Sequence, residues 1–283
     1  MWDPQTEERI GEALRALGLP SGAIVFVHSS MSSIGYVEGG AEALVDAFLK
    51  VLGPGGTLAV PTFTFSHSAS GDPIFDPALD PSEMGRLTEE TRTRPGARRS
   101  LHLVHSVAAL GAHAREMTAS HGPSAWAEDG PFWKLHELDG YILLLGVPYL
   151  RCTFFHLMEQ LVRVPYRQWR EVEAQIREPD GSLRPLPTLT FGPKPGFVGN
   201  DFNRLGAMLE ERGHVLAGSV GNAVARLFRA RDAFEVGLAQ YRIDPDLFLM
   251  AGRDYTPLGN GVLTEELHSE KWVLDPANIY RRH

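Results

Sequence analysis

Cysteine is nearly missing from this chain. Its single thiol, Cys152, has no partner for an internal disulfide, so a reducing compartment fits best. No apolar run approaches the ~20 residues that span a bilayer, and none is expected to meet a membrane. The opening "MWDPQTEERIGEALRALGL" has no basic start followed by an apolar stretch. A signal peptide is therefore not expected, and a cytoplasmic location is. Positive charge is also short. Lys and Arg number 27 against 35 Asp and Glu, a formal net charge of -8, where a nucleic-acid binder is usually basic. An acidic balance suits a cationic partner or plain solubility. There is no Walker loop, no GxGxxG, no HExxH and no cysteine cluster, so neither a nucleotide fingerprint nor a zinc site is read from spacing.

What is present is an ordinary globular composition: 283 residues, 43% hydrophobic and 22% charged. The order of patterns predicts an α/β fold as one domain over 1–283. Residues 5 to 18 read as an amphipathic helix. "AIVFVHSS" reads as a buried strand, "MSSIGYVEGG" as a loop, "AEALVDAFLKVLG" as a helix and "GTLAVPTFTF" as a strand. This unit predicts a largely parallel central sheet flanked by helices. Residues 66–99 are rich in Pro, Asp, Gly and Arg and read as a long loop, a place where function or mobility concentrates. "SVAALG" and "GYILLLGV" read as strands, and "AHAREMTASHG" as a helix. The turn signal "PDGS" between extended runs predicts a small antiparallel sheet or hairpin at about 165–200. Residues 201–212, 219–231 and 232–239 read as helical.

Three stretches carry candidate chemistry. "VHSSMSSIGYVEGG" combines serines, glycines and a following helix start near Ala41, where free amides and the helix dipole attract phosphate. A Ser/Gly-rich connection without a ligand has the same composition. "RRSLHLVHS" holds His102 and His105, with His67 upstream; the spacing is poor for metal, and hydrogen-bonded histidines are the commoner outcome. "TFFHLMEQLVR" is amphipathic, with Phe154, Leu157, Met158 and Leu161 as its apolar face. His156 and Glu159 lie three apart, close enough to touch. One reading pairs Glu159 with Arg163 in a solvated ion pair worth ~0.3–0.5 kcal/mol. The other has Glu159 accept from one ring nitrogen of His156, which fixes the tautomer and raises the basicity of the second nitrogen.

These segments, with "GGTLAVPTFTF", "LLLGV", "VPYR" and "GSVGNAVARLF", occur in the order seen in the aminoglycoside 3-N-acetyltransferase family, which the chain resembles over nearly its whole length. The resemblance implies acetyl-coenzyme A as cosubstrate, no metal, and transfer to the 3-amine of the 2-deoxystreptamine ring of aminoglycosides, a route to antibiotic resistance. It implies His156 as general base, Glu159 as its orienting group and Thr153 as a donor to the thioester oxygen. It implies that His28, Ser29, Ser30 and Met31 cradle the coenzyme, and that Arg99, Ser100, His102 and Ser106 line the same cleft. The family's proline after His102 is Leu103 here, and His105 is additional. A polycationic acceptor calls for carboxylates. The acidic stretches offer Asp72, Asp76 and Glu83, with Asp80 beside them, and Glu128 with Asp129. An enzyme of this fold acting on another amine, and a non-catalytic binder of cationic ligands, remain as alternatives. The expected partner is a small cation and no nucleic acid. A homodimer stands open, since nothing in the sequence sets the oligomeric state.

Overall fold

The computed structural model describes residues 4–119, 123–197 and 199–250. The single-domain reading also covers 251–283, and the helix reading at 112–122 runs into 120–122; both of those ends lie outside the described residues.

Among the described residues ten strands form two sheets. They are β1 (Ile24–Ser29), β2 (Thr57–Pro61), β3 (Ile74–Phe75), β4 (Arg98–Arg99), β5 (Val107–Gly111), β6 (Tyr141–Leu145), β7 (Arg167–Arg177), β8 (Leu183–Pro193), β9 (Val215–Val220) and β10 (Ala223–Arg229). The main sheet runs β4-β5-β2-β1-β6-β10-β9, and the smaller one β3-β7-β8. The fold is mixed α/β, and the parallel expectation holds at its centre alone. β1 pairs in parallel with β2 and β6, while β5, β4, β10 and β9 add antiparallel flanks. The centre is parallel because helix-containing crossovers join its strands; short connections such as the β9–β10 hairpin force the opposite sense. β1 and β2 are almost wholly buried, as expected of strands covered on both faces.

Several elements differ from expectation. Residues 219–231 are not a helix. Val220 and Ala223 pair across a two-residue turn in which Gly221 has φ 58°, so Gly221–Asn222 closes a hairpin and the helix begins only at Ala230. The 66–99 segment is not a structureless loop. It holds the helices Phe65–Ser70 and Arg86–Thr93 and the strands β3 and β4. The hairpin expected at about 165–200 is present as β7–β8, closed by a turn in which Gly181 has φ 85°.

Two core clusters sandwich the main sheet. Phe26, Ile142 and Leu144 face one cluster, while Val25, Val27, Leu143 and Leu145 face the other. This period-2 division orients β1 and β6 so that their C-terminal ends deliver His28 and the turn after Leu145 to one place. Open α/β sheets bind their ligands at such strand ends.

Candidate active site

The chain leaves β6 at Leu145, turns through two 3-10 segments, Tyr149–Arg151 and Thr153–Phe155, and enters the helix His156–Leu161. Phe154, Leu157 and Met158 are buried as their spacing predicts. The apolar face is rotated from the expected one, however: Leu161 is 45% exposed and Glu159 is 0% exposed. A solvated Glu159 is therefore ruled out by position.

A carboxylate out of water needs partners, and Glu159 has four. His156 Nδ1 is 2.5 Å from Oε2, and Arg167 Nε lies 3.0 Å from the same oxygen. The Tyr166 hydroxyl and the Asn200 amide donate to Oε1 at 2.9 and 2.6 Å. The cationic partner is thus Arg167 at the start of β7. Arg163 instead lies two residues past the helix, in the left-handed region (φ 51°). Arg167 is held in turn by Asn200 Oδ1 and the Phe191 carbonyl, with its guanidinium over the Phe197 ring.

The electrostatics follow from these contacts. Burial by itself would raise the Glu159 pKa, but Arg167, His156 and the Tyr166 hydroxyl outweigh it and hold the group at about 2. Glu159 is a carboxylate at any working pH. His156 is lowered from its ordinary value, by burial first and Arg167 second, while Glu159 pulls it upward. The imidazole is therefore neutral at pH 7, as a base must be. Its side chain keeps 26% of its exposure, so a reactant can reach it. With Nδ1 engaged by Glu159, Nε2 is the nitrogen that faces the reaction.

His28, at the end of β1, places Nε2 3.4 Å from both the Thr153 hydroxyl and its backbone amide. Burial, then Arg151 and His156, lower its pKa to about 3, so it too is neutral. Ser30 lies beyond it, its hydroxyl at 3.1 Å from that of Ser32 and accepting from that of Ser33 at 3.0 Å. Ser29, the last residue of β1, and Met31, which follows Ser30, are half-buried beside it.

The second expected segment is engaged by partners within the protein. Arg99 does not reach out of the protein: its guanidinium donates to the Pro77, Asp80 and Thr62 carbonyls and to the Ser106 hydroxyl. The Ser100 hydroxyl accepts from the Val107 amide, and Ser106 is fully buried. These three hold the 66–99 segment onto the sheet. His102 accepts from the amides of Val104 and His105 and faces the Leu189 carbonyl. Its ring lies 5.2 Å from that of His105, which packs on Trp126, and Trp126 packs on His156. His102 and His105 therefore stand behind the base. His67 is bonded to Asp80 and the Asp72 carbonyl, and among the described residues no group of three His, Cys, Asp or Glu is placed to hold a metal ion.

The acidic candidates divide in the same way. Both Glu83 oxygens accept the first amides of the Phe65–Ser70 helix. Asp76 accepts from Ala78 and Leu79, and Asp72 from Ile74. These three shape turns of the segment, while Glu128 is exposed. Cys152 is buried and its thiol pKa is pushed far up, chiefly by burial, which fits no acyl-carrying role.

Arg167, Tyr166, Asn200 and Trp126 carry no assignment from sequence reasoning. Tyr166 and Arg167 lie in the quoted "VPYR", seven and eight residues beyond Glu159; Asn200 gave no signal.

Stability should depend on pH in a direction these groups set. Glu159, held at about 2 against an ordinary 4.5, stabilises the fold fully above pH 4.5 and less as pH falls toward 2. His28 and His102, held at about 3 and about 4 against 6.5, act in the same direction, because the unfolded chain takes up those protons first. The melting temperature should fall steadily from pH 7 to pH 4. A flat profile in thermal denaturation over that range would contradict the buried neutral histidines.

The description of the matching family model is aminoglycoside 3-N-acetyltransferase, over residues 26–242. Aminoglycoside N(3)-acetyltransferase VII of Streptomyces paromomycinus is 34% identical over 272 residues, covering 83% of this chain and 91% of that protein. The aminoglycoside acetyltransferase AAC(3)-IVa, as a histidine-to-alanine mutant in complex with a gentamicin, superposes with a TM-score of 0.74 at 32% identity, over 89% of this chain and 93% of that one. AAC-IIIb in binary complex with CoASH gives 0.75 at 26% identity, over 85% and 97%. With its family model matched over residues 26–242 and a relative 34% identical along most of both chains, the chain belongs to the aminoglycoside 3-N-acetyltransferase family.

Proposed function

We propose that this enzyme acetylates the 3-amine of the 2-deoxystreptamine ring of aminoglycosides, using acetyl-coenzyme A, with His156 as general base and Glu159 as its orienting group. The observation that carries the reading is the His156 Nδ1–Glu159 Oε2 contact at 2.5 Å, with the carboxylate buried among Arg167, Tyr166 and Asn200.

The residues present fit the coenzyme. The Ser30, Ser32 and Ser33 hydroxyls gather where β1 and β6 end, and the turn after β6 comes so close that a Cβ on Gly146 would sit 2.6 Å from that of Ser33. Ser29, Ser30 and Met31 would hold the coenzyme here; when bound it supplies the acetyl thioester as electrophile. Nε2 of His156 removes the proton of the attacking amine, a contribution of roughly 10²–10⁴ in rate. Glu159 stabilises the imidazolium that this creates. The Thr153 hydroxyl, whose single O–H can turn from its 3.4 Å contact with His28 Nε2, is the donor for the oxygen that gains charge. Protonated His156 then returns its proton to the departing thiolate. Direct attack needs no thiol on the enzyme.

Of the acidic candidates Asp72, Glu128 and Asp129 are exposed, and Glu128 with Asp129 would serve recognition of a cationic acceptor. Among the described residues no helix is long and apolar enough to cross a membrane.

The test is free-thiol release from acetyl-coenzyme A with a panel of amines. Release with gentamicin-like compounds is expected, unchanged after exhaustive treatment with EDTA. Release with other amines alone would point to a different acceptor. Ligand binding without release would point to a binder. Loss in EDTA restored by zinc would overturn the metal-free reading.

A further inference from the structure

We propose that Trp126 is a positioning residue for this reaction: one indole holds both the ring of His156 and the backbone of Thr153. The inference rests on His156 being the base, and it concerns a residue in the loop 123–130.

The indole is 6% exposed. Its Nε1–H donates to the Thr153 carbonyl at 2.9 Å. That carbonyl also accepts the backbone amide of His156, so the tryptophan ties down the turn at the hydrogen bond that launches the base. The indole ring meets the His156 imidazole edge-on, with centroids 5.6 Å apart and planes at 85°. Behind it, Phe132 stacks at 5.0 Å and 7°, and His105 packs at 4.7 Å. The ring cannot rotate without breaking these contacts.

The catalytic helix in turn holds the indole. Gln160, the neighbour of Glu159, donates from Nε2 to the Trp126 carbonyl at 2.9 Å. Its Oε1 accepts from the Ser124 hydroxyl at 2.7 Å, and that hydroxyl accepts from the Trp126 amide at 3.3 Å. The result is a closed circuit: helix to Gln160, Gln160 to loop, loop to indole, indole back to the turn and to His156. An indole N–H only donates and a carbonyl only accepts, so the buried pair has one satisfied arrangement.

The charged and titratable groups facing His156 are Glu159 on its own helix, Arg167 on β7, His105 from the β4–β5 connection and His28 from β1. Trp126 and Phe202 are the aromatic walls between them. Removing the indole admits water beside the imidazole and weakens the burial that lowers its pKa.

Two variants separate the N–H from the ring. Trp126→Phe keeps an aromatic wall and loses the donor; kcat should fall roughly tenfold, with the His156 pKa near the parent value. Trp126→Leu loses both; kcat should fall roughly 10- to 100-fold, and the His156 pKa, read from the ring proton by NMR titration, should rise toward 6.5. The KM for acetyl-coenzyme A should hold in both. Gln160→Met, which leaves the indole but opens the circuit, should lower kcat in the same direction and provides the test if Trp126→Leu does not fold. A parent-like kcat and His156 pKa in Trp126→Leu, or a parent-like kcat in Gln160→Met where that variant serves, would overturn the inference. The base assignment fails separately: if His156→Ala keeps its turnover, His156 is not the base, whatever Trp126 does to its pKa.

Discussion

His156→Ala should lower turnover by roughly 10²–10⁴ and leave coenzyme affinity close to the parent value. The loss follows from chemistry. An ammonium has no lone pair to attack with, and in the proposed mechanism the His156 imidazole, backed by Glu159, takes its proton. Affinity survives because His156 lies on the helix after β6, whereas the serine turn lies after β1. Small bases such as free imidazole should recover part of the rate, because the substitution opens space where the ring stood. The measurement is steady-state turnover of the purified variant beside its coenzyme dissociation constant. Near-normal turnover would remove His156 from the mechanism, and equal loss of both would mean that the substitution had disturbed the fold around Thr153.

The second large effect belongs to Glu159. In Glu159→Gln the side chain keeps its shape but loses its charge, and Arg167 is left 8% exposed without its carboxylate. Breaking a buried pair from one side costs about 3–5 kcal/mol. At roughly two to four degrees per kcal/mol for a chain of this size, the melting temperature should fall by about 10 °C. A surface carboxylate would cost under ~0.5 kcal/mol. Turnover should also fall tenfold or more, because an amide cannot stabilise the imidazolium and presents its own N–H or its carbonyl to Nδ1 with no charge behind it. Arg163→Ala should change neither quantity, since Arg167 is the cation at Glu159.

The contrast between Arg163 and Arg167 shows where sequence reading stopped. The His156–Glu159 contact was legible because three residues on a helix bring two side chains together by geometry alone. Whether that pair faced water was not legible. Its burial is decided by Tyr166, Arg167 and Asn200, and the last of these lies 41 residues away in sequence. Helical periodicity also misassigned Leu161 and Glu159, because an acidic residue on an inward face looks polar whether or not it is buried. β1, β2 and β6 were legible as apolar runs. The hairpin of β9 and β10 was not, although Gly221–Asn222 is a two-residue turn signal, because the apolar spacing from Val220 to Leu227 also fits a helix. Arg99, Ser100 and Ser106 show a different limit. Their order in the chain matched the family, but a side chain that supports the segment beside a site leaves the same trace in sequence as one that touches the ligand.

The mechanism stands on Glu159 acting through His156. The pH dependence of kcat/KM for the parent and for Glu159→Gln tests that most directly. In the parent, Glu159 pulls the His156 pKa upward against burial and Arg167. Without the charge the imidazole becomes a weaker base, so the acidic limb of the profile should move to lower pH while the maximal rate falls. An acidic limb that stays in place with the rate unchanged would contradict this mechanism, for the carboxylate would then be a structural counter-ion of Arg167 and no part of the base.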